Sequence, residues 1–145
     1  MAGADGTAPV AETGDVRGEC IAATTAFYAG LDRFDYDLVL GALAPDAVWE
    51  RHDGSHKGHE AIGAILEARS TDVLTAHMVF NPVVEMLGPD SAVVRFSLLI
   101  LAGDAKASPP AGRVAQVRHS EDRLSRIGGR WLIARKSSDL AFNIG

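Results

Sequence analysis

The chain has 145 residues, of which 47% are hydrophobic and 23% charged, and its net charge is −5. This length predicts one domain, burying roughly 70% of its unfolded surface, with room for one modest pocket. The acidic balance and the dispersed Lys and Arg residues argue against nucleic acid, whose phosphates demand a basic face. The single cysteine, Cys20, excludes an internal disulfide and a Cys-only zinc site, and it fits a reducing compartment. No apolar stretch approaches the roughly 18 residues of a membrane span, so no membrane partner is expected. The N-terminus lacks the basic-then-apolar order of a signal peptide, and a cytoplasmic location is expected.

Residues 1–14 are Gly, Ala, Thr, Pro and acidic residues with little to bury, and they are expected to form a disordered tail. From Asp15 to Leu31, Ile21, Thr24, Tyr28 and Leu31 recur at helical spacing. Gly30 and the Asp32–Asp35 cluster weaken that helix near its end. Asp35 can cap a second short helix, Tyr36 to Leu43, which stops before Pro45. Ala47 to His52 reads as a strand and Asp53-Gly54-Ser55 as a turn. His59 to Arg69 is a third helix, with Ile62, Ile65 and Leu66 as its apolar stripe. The period then changes to two. Strands are expected at Thr75–Leu87, Ala92–Leu101, Arg113–Ile127 and Arg130–Ser138. Turns fall at Gly88-Pro89-Asp90-Ser91 and Gly128-Gly129, and a loop at 102–112. Helices first and an antiparallel meander after them give an α+β layout.

Asp32 shares a helix face with Tyr28 and Thr24. A carboxylate at a helix C-terminus is unfavourable by about a few tenths of a kcal/mol, so a compensating partner is expected, and a histidine would serve. His77 alternates with Val79, Asn81, Val83 and Glu85 on one strand face, with Met78, Phe80 and Val84 on the other. A lone strand histidine is more often structural than catalytic. Trp49 either packs in the core or walls a pocket, and Phe27 and Phe80 read as core. Asp122 and Arg135 fall opposite each other across a two-residue hairpin and should form an ion pair. His52, His56 and His59 span a turn and a helix start, not a rigid element, so no metal site is expected. No glycine-rich phosphate loop or Gly-x-Ser-x-Gly element is present, and no cofactor is expected. The meander strands are apolar on both faces while helices can cover only one, which predicts a homodimer packed through the sheet.

Several segments, in order, carry a resemblance. They are Leu31-Asp32-Arg33-Phe34-Asp35-Tyr36-Asp37, Ala44-Pro45-Asp46-Ala47-Val48-Trp49, Gly58-His59-Glu60-Ala61-Ile62, Thr75-Ala76-His77 with Asn81, and Gly129-Arg130-Trp131-Leu132-Ile133-Ala134-Arg135. Over roughly residues 17–138 the chain resembles the SnoaL-like group of the nuclear-transport-factor-2-like superfamily, which includes scytalone dehydratase and bile-acid 7α-dehydratase. The resemblance implies a cone-shaped α+β barrel over residues 15–145, with N-terminal helices packed on a curved, mainly antiparallel sheet. It places the family's catalytic Asp and His on Asp32 and His77. The family's tyrosine has no match beside Asp32, and Tyr28, one turn back, is the nearest phenol. It implies Trp49 and Asn81 as substrate-binding residues, and either His119 or Ser120 as a further one. The implied function is cofactor-free acid/base dehydration, isomerisation or cyclisation of a polycyclic or polyketide-like small molecule. The alternative is a non-catalytic binding or scaffold subunit resembling the small subunit of ring-hydroxylating dioxygenases.

Overall fold

A computed structural model describes residues 14–142 and 144 of the chain. The tail expected at residues 1–14 lies outside them except for Gly14. Helix α1 spans Val16–Arg33 and opens on Asp15, whose side chain accepts the Gly18 N–H at 2.9 Å. It buries Cys20, Thr24, Phe27, Tyr28 and Leu31, an apolar stripe at helical spacing. It ends where Phe34 turns left-handed at φ 56°, and the Asp35 N–H closes onto the Gly30 carbonyl at 2.9 Å.

Gly30 has a packing role that its helix-weakening chemistry conceals. A Cβ there would stand 2.6 Å from the Val39 side chain and 2.8 Å from the Asp35 carbonyl oxygen. Helix α2, Tyr36–Gly41, therefore folds directly back onto α1, capped by the Asp35 side chain. It is shorter than expected because strand β1, Leu43–Arg51, starts at once. β1 runs parallel to the last strand, and the Ile133 N–H already bonds the Ala42 carbonyl at 2.9 Å. The expected turn at 53–55 instead leads into a short strand β2, Gly54–Lys57, paired back onto β1. Helix α3, Gly58–Glu67, buries Ile62 and Leu66.

Four long strands follow: β3 Val73–Gly88, β4 Ser91–Asp104, β5 Gly112–Ile127 and β6 Arg130–Phe142. The sheet order is β2-β1-β6-β5-β4-β3, and every pairing but β1–β6 is antiparallel. The helices pack on one face of this mixed sheet, as expected for a cone-shaped α+β fold. The sheet is not closed into a barrel, and β2 and β3 are its edges. The core on the helix-covered face includes Phe27, Ile62, Val94, Leu124 and Ile133. Among the described residues, no helix is long and apolar enough to cross a membrane.

Bulges correct the strand faces read by simple alternation. Phe80 pairs with Ser97 but Val83 pairs with Arg95, so Asn81-Pro82 holds an extra residue. Pro82 cannot donate to the ladder, and Asn81 sits at φ 53°. Beyond it the parity flips. Val84 is buried inside, whereas Val83 and Glu85 lie on the outer face, opposite to the expected assignment. Phe80 is 46% exposed on that outer face and is not core. A second bulge falls at Ala134, since Leu124 pairs with Ile133 but Arg123 with Arg135. It shifts the register by one, so Asp122 faces Lys136 and not Arg135. Arg135 instead reaches Glu50 at 2.8 Å.

The close approach at Gly30 generates a test. Gly30→Ala should destabilise the protein by about 1–3 kcal/mol through overpacking against Val39. Gly41→Ala, where a Cβ meets nothing within 4 Å, should stay within about 0.5 kcal/mol of wild type. Urea unfolding of the two variants measures the contrast, and equal midpoints would refute it.

Candidate active site

Asp32 lies in the last turn of α1, and His77 lies on the inner face of β3. Asp32 Oδ1 is 2.6 Å from His77 Nδ1, and Asp32 Oδ2 accepts the His77 backbone N–H at 2.7 Å. The Thr75 hydroxyl donates to Oδ1 at 2.9 Å. Three donors thus fix the carboxylate. Burial alone would push its pKa up, but the hydrogen bonds from His77 and Thr75 outweigh that and hold it below the ordinary carboxylate range. An ionised Asp32 can only accept, so Nδ1 carries a proton, and Nε2 is the ring nitrogen left without a protein partner among the described residues. The His77 side chain is 11% exposed, and it lines a cavity of about 410 Å³.

Tyr28 lines the same cavity and stacks on His77, with ring centroids 5.2 Å apart and planes inclined by 22°. Its hydroxyl belongs to a buried polar cluster that the sequence did not announce. Lys136 Nζ donates to Asp122 Oδ1 at 2.8 Å, to Asp122 Oδ2 at 2.9 Å and to the Tyr28 oxygen at 3.1 Å. The Thr24 hydroxyl donates to Asp122 Oδ2 at 2.8 Å. The rings of Tyr28 and Phe27 lie 4.3 and 4.4 Å from the ammonium. Burial would pull the Lys136 pKa down, but the adjacent Asp122 carboxylate more than offsets it, and the ammonium stays charged. Burial pushes the Tyr28 pKa up despite Lys136, so the phenol keeps its proton. Lys136 fills an acceptor site on the phenol oxygen and can do nothing else there. The Tyr28 proton therefore has no protein acceptor among the described residues.

The rest of the cavity wall mixes apolar and polar groups. Leu31, Leu98, Ile100 and Trp49 supply the apolar part, and Arg118, Gln116 and Ser138 close the side formed by β5 and β6. Trp49 packs edge-on against Phe27 at 5.1 Å while facing the cavity, so it serves both roles left open for it. Two other hollows lack this convergence. One, of about 380 Å³, lies between α1, α2 and the β5–β6 turn and is lined largely by Ala22, Ala23, Ala26 and Leu38. The other lies mainly on the outer side of the sheet.

The structure brings Asp32, His77, Tyr28 and Trp49 together. It separates two of the expected substrate-binding residues from them. His119 pairs with Ser97 and Asp139 on the outer face, because Ser120 takes the inward position on β5. Asn81 is carried off the His77 face by the bulge and lines the outer hollow with His119. Ser120 is buried on the inner face, and its hydroxyl has no partner among the described residues. His56 contacts Asp53 at 2.9 Å and His59 reaches the Leu43 carbonyl at 3.1 Å, so these two do not share a ligand position. Among the described residues, no three His, Cys, Asp or Glu side chains group as a metal site. Sequence reasoning missed Thr75, Arg118 and Lys136. Only Thr75 had a signal, two positions before His77 on the same face.

A family model described as a SnoaL-like domain matches residues 14–137. No curated protein matches the sequence. Among solved structures, an NTF2-like protein with a cystatin-like fold from Novosphingobium aromaticivorans superposes with a TM-score of 0.79 at 18% identity, covering 96% of this chain and 92% of that one. A hexachlorocyclohexane dehydrochlorinase, LinA type 2, gives 0.77 at 15% identity, covering 92% and 90%. A ketosteroid isomerase-like protein from Erwinia carotovora atroseptica gives 0.69 at 16% identity, covering 86% and 95%.

Breaking one side of the buried pair leaves the other charge stranded. Lys136→Met and Asp122→Leu should each cost about 3–5 kcal/mol, whereas the double variant should recover most of that loss. A thermodynamic cycle from chemical denaturation measures it, and strictly additive losses would show that the two charges are not coupled.

Proposed function

The chain belongs to the SnoaL-like domain family, and on that premise we propose that it is a cofactor-free small-molecule lyase or isomerase acting by proton abstraction beside a carbonyl. The observation that carries this reading is the Asp32–His77 pair, with His77 lining a cavity. His77 Nε2 takes a proton from the carbon next to the carbonyl. The C–H electron pair moves to the carbonyl oxygen, giving an enolate, and the Tyr28 hydroxyl donates to that oxygen. Asp32 stays ionised and balances the imidazolium. The enolate then expels a β-hydroxyl as the C–O bond breaks, and His77 returns its proton to make water. In an isomerisation the same proton returns to a different carbon, and in a cyclisation the enolate carbon attacks a second carbonyl.

The dehydrochlorinase and the ketosteroid isomerase-like protein among the structural neighbours fit this range of chemistry. The apolar part of the cavity wall, Leu31, Leu98, Ile100 and Trp49, suits one side of a polycyclic or polyketide-like ring. An open cavity supports catalysis over the scaffold-subunit alternative, which needs no hollow. The protein works in the cytoplasm as a homodimer packed through the outer sheet face, where Met78, Phe80 and Val83 are exposed.

The test is hydrogen–deuterium exchange at the α-carbon of bicyclic ketones such as 1-tetralone, followed by NMR in D₂O. His77→Ala and Asp32→Asn should each slow enzyme-dependent exchange by about 10²–10⁴-fold. The double variant should be little worse than the worse single, because the two act as one unit. Wild-type exchange rates in folded His77→Ala would refute the reading. Light scattering at micromolar concentration should give twice the chain mass, and a monomer mass would overturn the homodimer.

A further inference from the structure

We infer that the substrate of this cavity is a cyclic carboxylic acid whose carboxylate pairs with Arg118. The inference deepens the acid/base reading above and rests on the same cavity. It begins with the charges along the wall. Asp32 is matched by His77, Glu50 by Arg135 at 2.8 Å, and Arg51 by Asp53 at 3.1 Å. Behind the wall, Asp122 is matched by Lys136. Arg118 has no carboxylate within 4 Å among the described residues. It is a half-buried cation in the wall whose charge is left over.

Its hydrogen bonds make that charge useful. Arg118 Nε donates to the Ser138 hydroxyl at 2.7 Å, one terminal nitrogen to the Ser138 carbonyl at 3.2 Å and the other to Gln116 Oε1 at 3.1 Å. All three acceptors are neutral. They fix the guanidinium plane without cancelling its charge, and they use three of its five N–H donors. Two donors remain. A half-buried guanidinium with spare donors and no counter-ion is held at a cost that an incoming carboxylate would relieve. The position fits the chemistry. Arg118 pairs with Leu98 across the sheet and sits near enough to Tyr28 for its charge to favour the phenolate. The apolar ring of the ligand would lie along Leu98, Ile100 and Trp49, with its carboxylate at Arg118 and its reacting carbon toward His77.

The bland reading of Arg118 is a bolt joining β5 to β6 through Ser138. The two readings differ in charge selectivity, which binding measures without turnover. The probes are 2-naphthoate and 2-naphthamide, which share a ring system and differ in charge. Titration calorimetry on the wild type at low salt should show naphthoate binding at least about tenfold tighter than the amide, the scale of one desolvated charge pair. Arg118→Gln should erase that preference while leaving the amide within about twofold. Arg118→Lys removes the planar bolt but keeps the charge, and it should retain a preference for naphthoate that falls as salt rises. His77→Ala should retain the preference too, which excludes the imidazolium as its source. Equal affinities in the wild type, no naphthoate binding at millimolar concentration, or a preference that survives in Arg118→Gln would each overturn the inference. Should Arg118→Gln not fold, the wild-type contrast and Arg118→Lys still decide. Loss of ketone exchange in His77→Ala without carboxylate preference would remove this inference and keep the acid/base reading, and the reverse pattern would do the opposite.

Discussion

The ammonium of Lys136 and the carboxylate of Asp122 meet beneath α1, on residues 3% and 0% exposed. Such a pair contributes little net stability, because the cost of taking both ions out of water nearly matches their attraction. Its effect is on placement. Thr24 donates to Asp122 and Tyr28 accepts from Lys136, so two turns of α1 are keyed by directional bonds to β5 and β6. One further turn along the same face lies Asp32. Greasy contacts such as Phe27 against Trp49 would tolerate small rotations of α1, whereas a four-membered donor–acceptor set does not. The carboxylate that orients His77 is therefore positioned by charges some distance below it.

Much of this was legible and the limits have physical causes. The stripe of Thr24, Tyr28 and Leu31 marked the buried face of α1, and the period-two strands marked the meander. The pairing of Asp32 with His77 was implied by the family resemblance, and the helix and strand periodicities left both where they could meet. The bulges set the limit. Pro82 inside a strand is a recognisable breaker, and it could have warned that alternation fails beyond Asn81. Ala134 gives no such warning, since an extra alanine in a strand looks like any other. That single residue turned an expected cross-strand Asp122–Arg135 pair into a buried Asp122–Lys136 pair. Lys136 itself reads as a surface residue until the register is known. β2 was missed because four residues reading Gly-Ser-His-Lys carry no strand propensity and are held only by pairing with β1.

The polar groups around the cavity divide into spent and unspent. Asp32 has its acceptor sites taken by His77 and Thr75, and Lys136 has its donors taken by Asp122 and Tyr28. What remains without a protein partner are an imidazole nitrogen, a phenol proton and part of a guanidinium, on three residues that line one hollow. Because each open group is fixed by a closed one behind it, little reorganisation is required when a partner arrives.

The second hydrogen bond of Asp32, from Oδ2 to the backbone N–H of His77, has a meaning outside chemistry. β3 is an edge strand, and His77 turns that N–H away from β4. Exposed edge amides invite another chain to add itself as the next strand, and proteins guard them with charges or covering elements. The C-terminal turn of α1 supplies such a guard, with its carboxylate seated on the amide at mid-strand. The residue that holds the His77 ring thus also covers an amide at which the sheet could grow. Solubility alone would give the chain reason to keep its aspartate.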